Sequence, residues 1–205
     1  MSLPSARHAT AALAVLGGWA SARLASRRTV GASEERVFRS ANGAPEQLHL
    51  PVWAVMQSGS LAAVFVVSAW QGRAAEDRRH ASVTTLVGTG VWAGVKVLKP
   101  LIGRGRPEQH LEGVRVRGHA QSGLGYPSGH AAVSLTLALS STRGRPPAER
   151  AGALLLAGVT GWARMYVGAH LPLDIVGGYA VGCLSGEAAR LLGDAAFGRP
   201  PNLRP

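Results

Sequence analysis

Long stretches without a charged residue recur along this chain, and they limit its possible folds more than any other feature of the sequence. Val52 to Trp70 is 19 residues without a charge, and Ala81 to Lys99 carries a single charge before its last residue. Leu173 to Leu192 is apolar except near its ends. A helix that crosses a bilayer needs about 20 mainly apolar residues. These three segments are therefore predicted membrane spans.

Three weaker segments complete the pattern. Ala151 to Val167 is apolar apart from Arg164, whereas Gly129 to Thr142 is uncharged but short. Ala9 to Ala22 is open to three interpretations: a first span, a signal peptide cleaved at Ala20-Ser21-Ala22, or a helix on the membrane surface. We expect an all-α integral-membrane bundle of five to six transmembrane helices. A bundle in water is the alternative, because the mean hydropathy of +0.11 is low for a membrane protein.

The length of 205 residues suits one domain with short appendages. We assign residues 1–44 to a basic N-terminal segment with the possible first transmembrane or interfacial helix, 45–192 to the helical domain, and 193–205 to a short C-terminal tail. Ser33 to Leu50 has the pattern of an amphipathic connector that ends at Pro51.

The net charge of +11 indicates either a nucleic-acid partner or a membrane surface. A nucleic-acid module carries a basic face with interleaved aromatic residues. Aromatic residues make up only 5% of this chain, and its cations recur in small groups between the uncharged stretches. We therefore expect the bilayer as partner, and no nucleic acid. The single cysteine, Cys183, excludes an internal disulfide and a multi-cysteine zinc site.

The unusual polar residues fall where predicted spans begin or end, and the alternation of the spans puts all of them at one end of the bundle. Chance placement would scatter them over both ends. This end therefore holds the candidate site, whose residues are Lys99, Arg106, Ser128, Gly129, His130, Arg164, His170 and Asp174.

Three of these residues are cations, and a helix start rich in backbone amides accompanies them. Such a set suits a tetrahedral, doubly charged oxyanion, of which phosphate is the best fit. Ser128 is the predicted N-cap, and Gly129 lets the backbone come close to the anion. Arg164 stands inside a span, where a charge costs about 2.5 to 3.5 kcal/mol and indicates a functional role.

A second helix start carries the reactive groups. Pro172 suits the first position of a helix, which leaves His170 in the preceding loop and puts Asp174 in the first turn. Asp174 can accept a hydrogen bond from one ring nitrogen of His170, so that the other nitrogen is a nucleophile. His130 is then the candidate acid.

Three motifs resemble the signatures of the type 2 phosphatidic acid phosphatase (PAP2) superfamily. Lys99 to Pro107 is similar to the first, a Lys, six residues and then Arg-Pro. Tyr126 to His130 contains the second, Pro-Ser-Gly-His, and Arg164 to Asp174 resembles the third, an Arg, five residues, His, three residues and Asp. The resemblance covers about Pro45 to Leu192. One departure is Ala163, where the family usually has Ser.

The resemblance implies a PAP2/haloperoxidase-like core and a phosphoric monoester or diphosphate hydrolase. In it His170 would attack phosphorus to form a phosphohistidine, Asp174 would orient His170, and His130 would protonate the leaving group. The phosphoryl oxygens would be held by Lys99, Arg106, Ser128, Gly129 and Arg164. No cofactor and no metal ion is implied, because phosphoryl transfer mainly requires positioning and charge stabilisation.

The site lies where lipid head groups are, so the expected substrate is a lipid phosphate or a polyprenyl diphosphate. The positive-inside rule puts this site on the outer side of the plasma membrane. This prediction compares the arginines at the two ends of the bundle. The connectors and tail of the opposite end contain eight: Arg73, Arg78, Arg79, Arg143, Arg145, Arg150, Arg199 and Arg204. The site end, outside the motif cations, contains three: Arg104, Arg115 and Arg117.

Two other classes of function stay open, and a third is disfavoured. An intramembrane serine protease could use Ser128 with a histidine, although it would not need three cations. A non-catalytic lipid-head-group-binding protein should tolerate the loss of His170. Haloperoxidases share the motifs in a water-soluble helical fold, which the uncharged stretches argue against.

Overall fold

The structure, a computed structural model, describes residues 6–119 and 121–198, and within them it confirms the predicted all-α class, with no strand. The α-helices are α1 (Ala6–Ala25), α2 (Ala32–Asn42), α3 (His49–Met56), α4 (Leu61–Gln71), α5 (Arg78–Ile102), α6 (Gly129–Ser141), α7 (Pro147–Tyr166) and α8 (Pro172–Phe197). Most of the predicted tail lies outside the described residues, including Arg199 and Arg204.

The short uncharged helix α6 is the centre of the bundle. It packs against α5, α7 and α8, and most of its residues are buried. Protein neighbours rather than lipid therefore surround it, which is how a helix of 13 residues fits into a bundle of longer ones.

Large apolar side chains cover the outer faces of the long helices. Val66, Leu86, Val97 and Leu155 are 68, 69, 72 and 69% exposed. The interior holds small hydroxyl side chains, including Thr84, Ser134, Thr136 and Thr160, beside apolar ones such as Val64. A protein in water would bury the apolar groups, so this distribution favours a bundle in lipid over the water-soluble alternative.

Glycines bring α8 into close contact with α6. A Cβ atom added at Gly178 would lie 2.5 Å from the carbonyl oxygen of Ser128, and one added at Gly182 would lie 2.6 Å from that of Ala132. Only glycine permits backbones to approach so closely, which is a common device between membrane helices. The contact sets the start of α6 beside the start of α8.

The predicted single span from Val52 to Trp70 is wrong as one continuous helix. The chain leaves α3 through a short 3₁₀ turn at Gln57–Gly59 and re-enters a helix at α4, with a bend of 69°. The Ser60 side chain caps α4 by accepting from the Ala63 amide at 3.2 Å. The bend lets Gly59 pass against the backbone of His130, so the break in the helix borders the candidate site.

The N-terminal helices also differ in part from expectation. α1 packs along α8, and its C-terminal half reaches the site end, where Ser21 Oγ lies 2.9 Å from Tyr126 Oη. The amphipathic connector is the helix α2, which ends at Asn42 rather than running to Pro51. Pro51 instead lies in the first turn of α3, where its missing N–H costs nothing.

Length and hydropathy together select few helices as spans. Among the described residues one helical segment, Arg78–Gln109, is long and apolar enough to cross a membrane, and the bent pair Glu46–Gly59 and Leu61–Gln71 would be a second. The helices rich in Gly and Ala, such as α8, are not among these segments. The count of five to six transmembrane helices stays a prediction.

Candidate active site

The corner between α7 and α8 holds the predicted nucleophile and its partner. Pro172 is the first residue of α8, and Asp174 lies in its first turn, as predicted. Asp174 Oδ2 accepts the Leu171 amide at 2.9 Å and lies 3.4 Å from His170 Nδ1. His170 is 3% exposed and Asp174 is fully buried. The contact orients the ring so that Nε2 is the nitrogen left for chemistry.

The start of α6 meets this corner directly. Ser128 is the N-cap of α6, as predicted, with its Oγ 3.5 Å from the Ala131 amide. Its own amide donates to the carbonyl of Asp174 at 2.9 Å. Apart from its chain neighbours and the nearby backbone of α6, no described residue comes within 4 Å of the position where a Cβ atom would stand on Gly129. The first turn of α6 therefore leaves room at its N-terminus.

Two of the three predicted cations are held by backbone carbonyls. Lys99 Nζ, in the last turn of α5, donates to Leu124 at 2.8 Å and to Gly125 at 3.0 Å. Arg106 Nη1 donates to the Ala169 carbonyl at 2.7 Å. The Arg106 bond holds its guanidinium at the α7–α8 corner, and the Lys99 bonds hold its ammonium against the loop before α6.

Arg164 is the least satisfied of the cations. It lies in the last turn of α7 and is 4% exposed. Its Nη1 lies 3.0 Å from Met56 Sδ, and its buried Nε has no hydrogen-bond partner among the described residues. Thioether sulfur is a weak acceptor. The buried guanidinium therefore has donor capacity that these contacts do not use, which fits an oxyanion ligand.

A cavity of about 290 Å³ lies at this end of the bundle. It is lined by Arg106, His130 and Arg164, and by Trp53, Met56 and Gln57 from α3 and the turn that follows it. Lys99, Ser128, Gly129, His170 and Asp174 do not line it, and they lie at the same end of the bundle. The structure therefore brings all eight predicted residues to one end of the fold, with three of them on the cavity wall.

His170 lies in the loop outside the spanning helices, and its environment keeps the imidazole neutral. Burial lowers the pKa of His170 well below its ordinary value of 6.5, and the positive charges of Arg164, Lys99 and Arg106 lower the pKa further. A neutral imidazole is the form that a nucleophile requires.

Two charged residues of this end were not predicted as part of the site. Arg104 is fully buried, and it pairs with Glu34 of α2 at 2.7 Å and with Asp174 at 3.3 Å. Arg104 falls inside the first motif, yet its sequence position does not distinguish it from a surface cation. No local signal joins Glu34 to residues that lie 70 positions or more further along the chain.

A further set of contacts fastens the long loop between α5 and α6. Asn42 at the end of α2 donates to the carbonyls of Arg115 and Tyr166 at 2.8 and 3.0 Å and accepts from the Arg115 amide at 2.9 Å. The buried Arg117 donates to Asn42 and Tyr166 carbonyls. Arg117 was predicted only as a connector charge, whereas here it joins three elements.

No group of three or more His, Cys, Asp or Glu side chains is placed to hold a metal ion within residues 6–119 and 121–198. The polar groups at the site are mainly cations, two histidines and the start of a helix.

Fold and site together define a class of protein: an all-α integral-membrane bundle whose buried cations and histidines meet at one end. The PAP2 superfamily profile matches residues 79–195, more than half of the chain. The chain belongs to the PAP2 superfamily. The matched region contains all three motifs and every predicted site residue.

Two solved structures share this fold. LpxE from Aquifex aeolicus is 24% identical, with a TM-score of 0.68 over 78% of this chain and 96% of that one. The transmembrane PAP2-type phosphatidylglycerolphosphate phosphatase from Bacillus subtilis is 20% identical, with a TM-score of 0.72 over 91% of this chain and 97% of that one. A search of curated proteins finds no significant match.

Proposed function

We propose that the protein is a membrane lipid phosphatase that hydrolyses a lipid phosphate or polyprenyl diphosphate through a phosphohistidine. The observation that carries this proposal is the buried His170–Asp174 pair, set among three cations and the start of α6. A nucleophile, its orienting carboxylate and an oxyanion cradle are the groups that phosphoryl transfer needs.

In the first step, His170 Nε2 attacks phosphorus while the bond from phosphorus to the leaving oxygen breaks. His130, on the cavity wall, gives its proton to that oxygen. Asp174 accepts the Nδ1 proton of His170 in a hydrogen bond and stabilises the positive charge that forms on the ring. The covalent step divides one difficult displacement into two easier ones.

In the second step, the now neutral His130 takes a proton from a water molecule. The resulting hydroxide attacks the phosphohistidine, the P–N bond breaks, and inorganic phosphate leaves. Throughout, Lys99, Arg106 and Arg164 stabilise the charge on the phosphoryl oxygens, together with Ser128 and Gly129 at the helix start. No step uses a metal ion.

The proposed substrate is a lipid because of where the cavity lies. Trp53 lines the cavity and is 51% exposed, and it lies on α3, whose other residues are mainly apolar. A head-group phosphate can enter at the interface while its hydrocarbon tail stays in the bilayer. The structural neighbour from Bacillus subtilis supports this class, because it is named as a transmembrane PAP2-type phosphatidylglycerolphosphate phosphatase.

Purified protein in detergent is expected to release inorganic phosphate from at least one member of a lipid panel, and to keep this activity in excess EDTA. The panel contains phosphatidate, phosphatidylglycerol phosphate, a polyprenyl diphosphate and a polyprenyl-phosphate sugar phosphate. Released phosphate is measured for each lipid, with and without added Mg²⁺. Binding of a lipid phosphate without any release would favour a non-catalytic head-group binder, and strict dependence on Mg²⁺ would contradict the metal-independent mechanism.

We further propose that the protein resides in the plasma membrane with this site on the outer side. The basic connectors of the opposite end support it, and two of the three site-end arginines in the connector count, Arg104 and Arg117, are buried in ion pairs. α1 and α2 bring further arginines to the site end: Arg23, Arg27, Arg28, Arg36 and Arg39. The excess of arginines at the opposite end is therefore smaller than the connectors alone indicate.

The single cysteine makes this orientation measurable. In a Cys183→Ser background, Gln121→Cys places a thiol in the exposed loop of the site end, and Ala148→Cys places one in the exposed first turn of α7. A maleimide that cannot cross membranes should label the first thiol in intact cells and the second only after lysis. The reverse pattern would put the site on the cytoplasmic side.

A further inference from the structure

A buried arginine stands between two carboxylates behind the nucleophile. Arg104 donates from Nη1 and Nη2 to Glu34 Oε1 and Oε2, at 2.9 and 2.7 Å, in a two-pronged pair. The same Nη1 lies 3.3 Å from Asp174 Oδ1. The other oxygen of Asp174, Oδ2, faces His170 Nδ1 at 3.4 Å. The four side chains therefore form one continuous chain from α2 to the nucleophile.

Glu34 also fixes the start of α8 directly. Its Oε1 accepts the Leu173 amide at 3.0 Å, so one carboxylate oxygen joins the guanidinium to the first turn of the helix that carries Asp174. Both Arg104 and Glu34 are buried, with exposures of 0 and 9%. A buried ion pair with such geometry is strongly coupled to its neighbours, because little water screens it.

The charge balance of this chain depends on Glu34. Two carboxylates and one guanidinium leave a net charge of −1 beside His170. Without Glu34, the guanidinium would neutralise Asp174 alone and draw its carboxylate away from the imidazole. A carboxylate that shares its charge with an unopposed arginine is a poorer partner for an imidazolium.

We propose that Glu34 is a positioning residue for the phosphoryl-transfer site: it balances and aims Arg104 so that Asp174 keeps its charge and orientation toward His170. The inference deepens the proposed function and rests on it. Glu34 touches neither the cavity wall nor the three phosphate-binding cations, so it acts only through Arg104 and the start of α8.

The sign of the expected pH effect follows from the charges that face His170. From the packed elements these groups are Lys99, Arg106, His130, Arg164 and Asp174, and Arg104 and Glu34 stand behind Asp174. Neutral His170 is the active form, so kcat/KM should fall on the acid side as it gains a proton. Loss of a negative charge from this set disfavours the imidazolium and moves that acid limb to lower pH.

Glu34→Gln is therefore expected to lower kcat about tenfold with little change in KM, since the phosphate cradle is untouched. Its acid limb should move down by about one pH unit. The matched control is Glu35→Gln, the same change one residue further along α2, where the carboxylate pairs with Arg39 at the surface. Glu35→Gln should leave kcat, KM and the acid limb as in the wild type.

The double variant Glu34→Gln/Arg104→Gln separates charge balance from a merely structural role. It removes one charge of each sign, so the acid limb should return to or above the wild-type position. If the Glu34–Arg104 pair only held α2 in place, its loss would lower the thermal midpoint in both variants and leave the acid limb unmoved. That result would overturn the inference. If Glu34→Gln does not fold, Arg104→Gln takes its place. Removal of the positive charge beside Asp174 should move the acid limb above the wild-type position, and an unmoved acid limb overturns the inference.

A titration of His170 by ¹⁵N NMR on the detergent-solubilised protein distinguishes failure of this inference from failure of the proposed function. It needs no substrate, and the His170→Ala spectrum assigns the resonance. A downward shift of the titration in Glu34→Gln supports the positioning role even if no lipid of the panel is hydrolysed. Unchanged titration in a protein that does hydrolyse lipid phosphate overturns the positioning role and leaves the function standing.

Discussion

His170→Ala is expected to abolish phosphate release from every lipid phosphate that the wild-type protein hydrolyses. The substitution removes the atom that would form the bond to phosphorus. Loss of a nucleophile in enzymes with covalent intermediates lowers kcat by on the order of 10⁴-fold or more. The measurement is phosphate released over hours at saturating lipid, with mass spectrometry of the quenched wild-type protein for a phosphorylated His170.

The matched control is His80→Ala, which changes a histidine in the first turn of α5, at the opposite end of the bundle. His80 packs edge-on to Phe197 at 6.2 Å, so its loss can lower the thermal midpoint but should leave turnover intact. Wild-type turnover in folded His170→Ala would refute the phosphohistidine mechanism. It would leave open a head-group-binding role or a hydrolase that uses Ser128.

Arg164→Met is expected to separate activity from stability. Removal of one preorganised donor to a developing oxyanion costs about 10²- to 10³-fold in rate. The buried Nε of Arg164 has no hydrogen-bond partner in the part of the chain that the structure describes. Methionine has a similar length and brings no charge, so the bundle no longer buries a partly satisfied cation. We expect kcat/KM for phosphate release to fall by that factor. The thermal midpoint, measured in detergent by fluorescence, should stay equal or rise.

Arg150→Met is the control for Arg164→Met. It makes the same change on the same helix, at the exposed other end of α7. Both parameters should remain close to the wild-type values. Arg164→Met could instead unfold at a lower temperature and lose activity only in proportion to the loss of folded protein. That result would assign Arg164 to the core rather than to the site.

The residues of the candidate site could be predicted because their spacing is local. Ser128 and Gly129 mark one helix start, and Pro172 marks another, with His170 and Asp174 at fixed offsets from it. Each of these features follows from the preferences of a helix end. The alternation of uncharged stretches then places those ends together, and the structure agrees.

The break between α3 and α4 and the role of α2 could not be predicted in the same way. Val52 to Trp70 has no charge anywhere, so hydropathy alone cannot locate a bend within it. The run Ser58-Gly59-Ser60 is the one local signal, since a serine before an apolar run is a typical N-cap. The Glu34–Arg104 pair depends on tertiary folding, because nothing near Glu34 in sequence indicates a buried partner.

The anchoring of the long loop by Asn42 has a consequence for where this protein can be cut or grafted. The three motifs lie in one continuous segment, Lys99 to Asp174, which the sequence alone suggests could be transferred to another protein as a unit. Asn42, however, holds both the loop and the end of α7 from outside that stretch. A transplant or truncation that keeps the motifs and omits α2 would preserve every signature residue but lose the contacts that align them. The shortest segment that can form this site is therefore longer than the segment that contains its motifs.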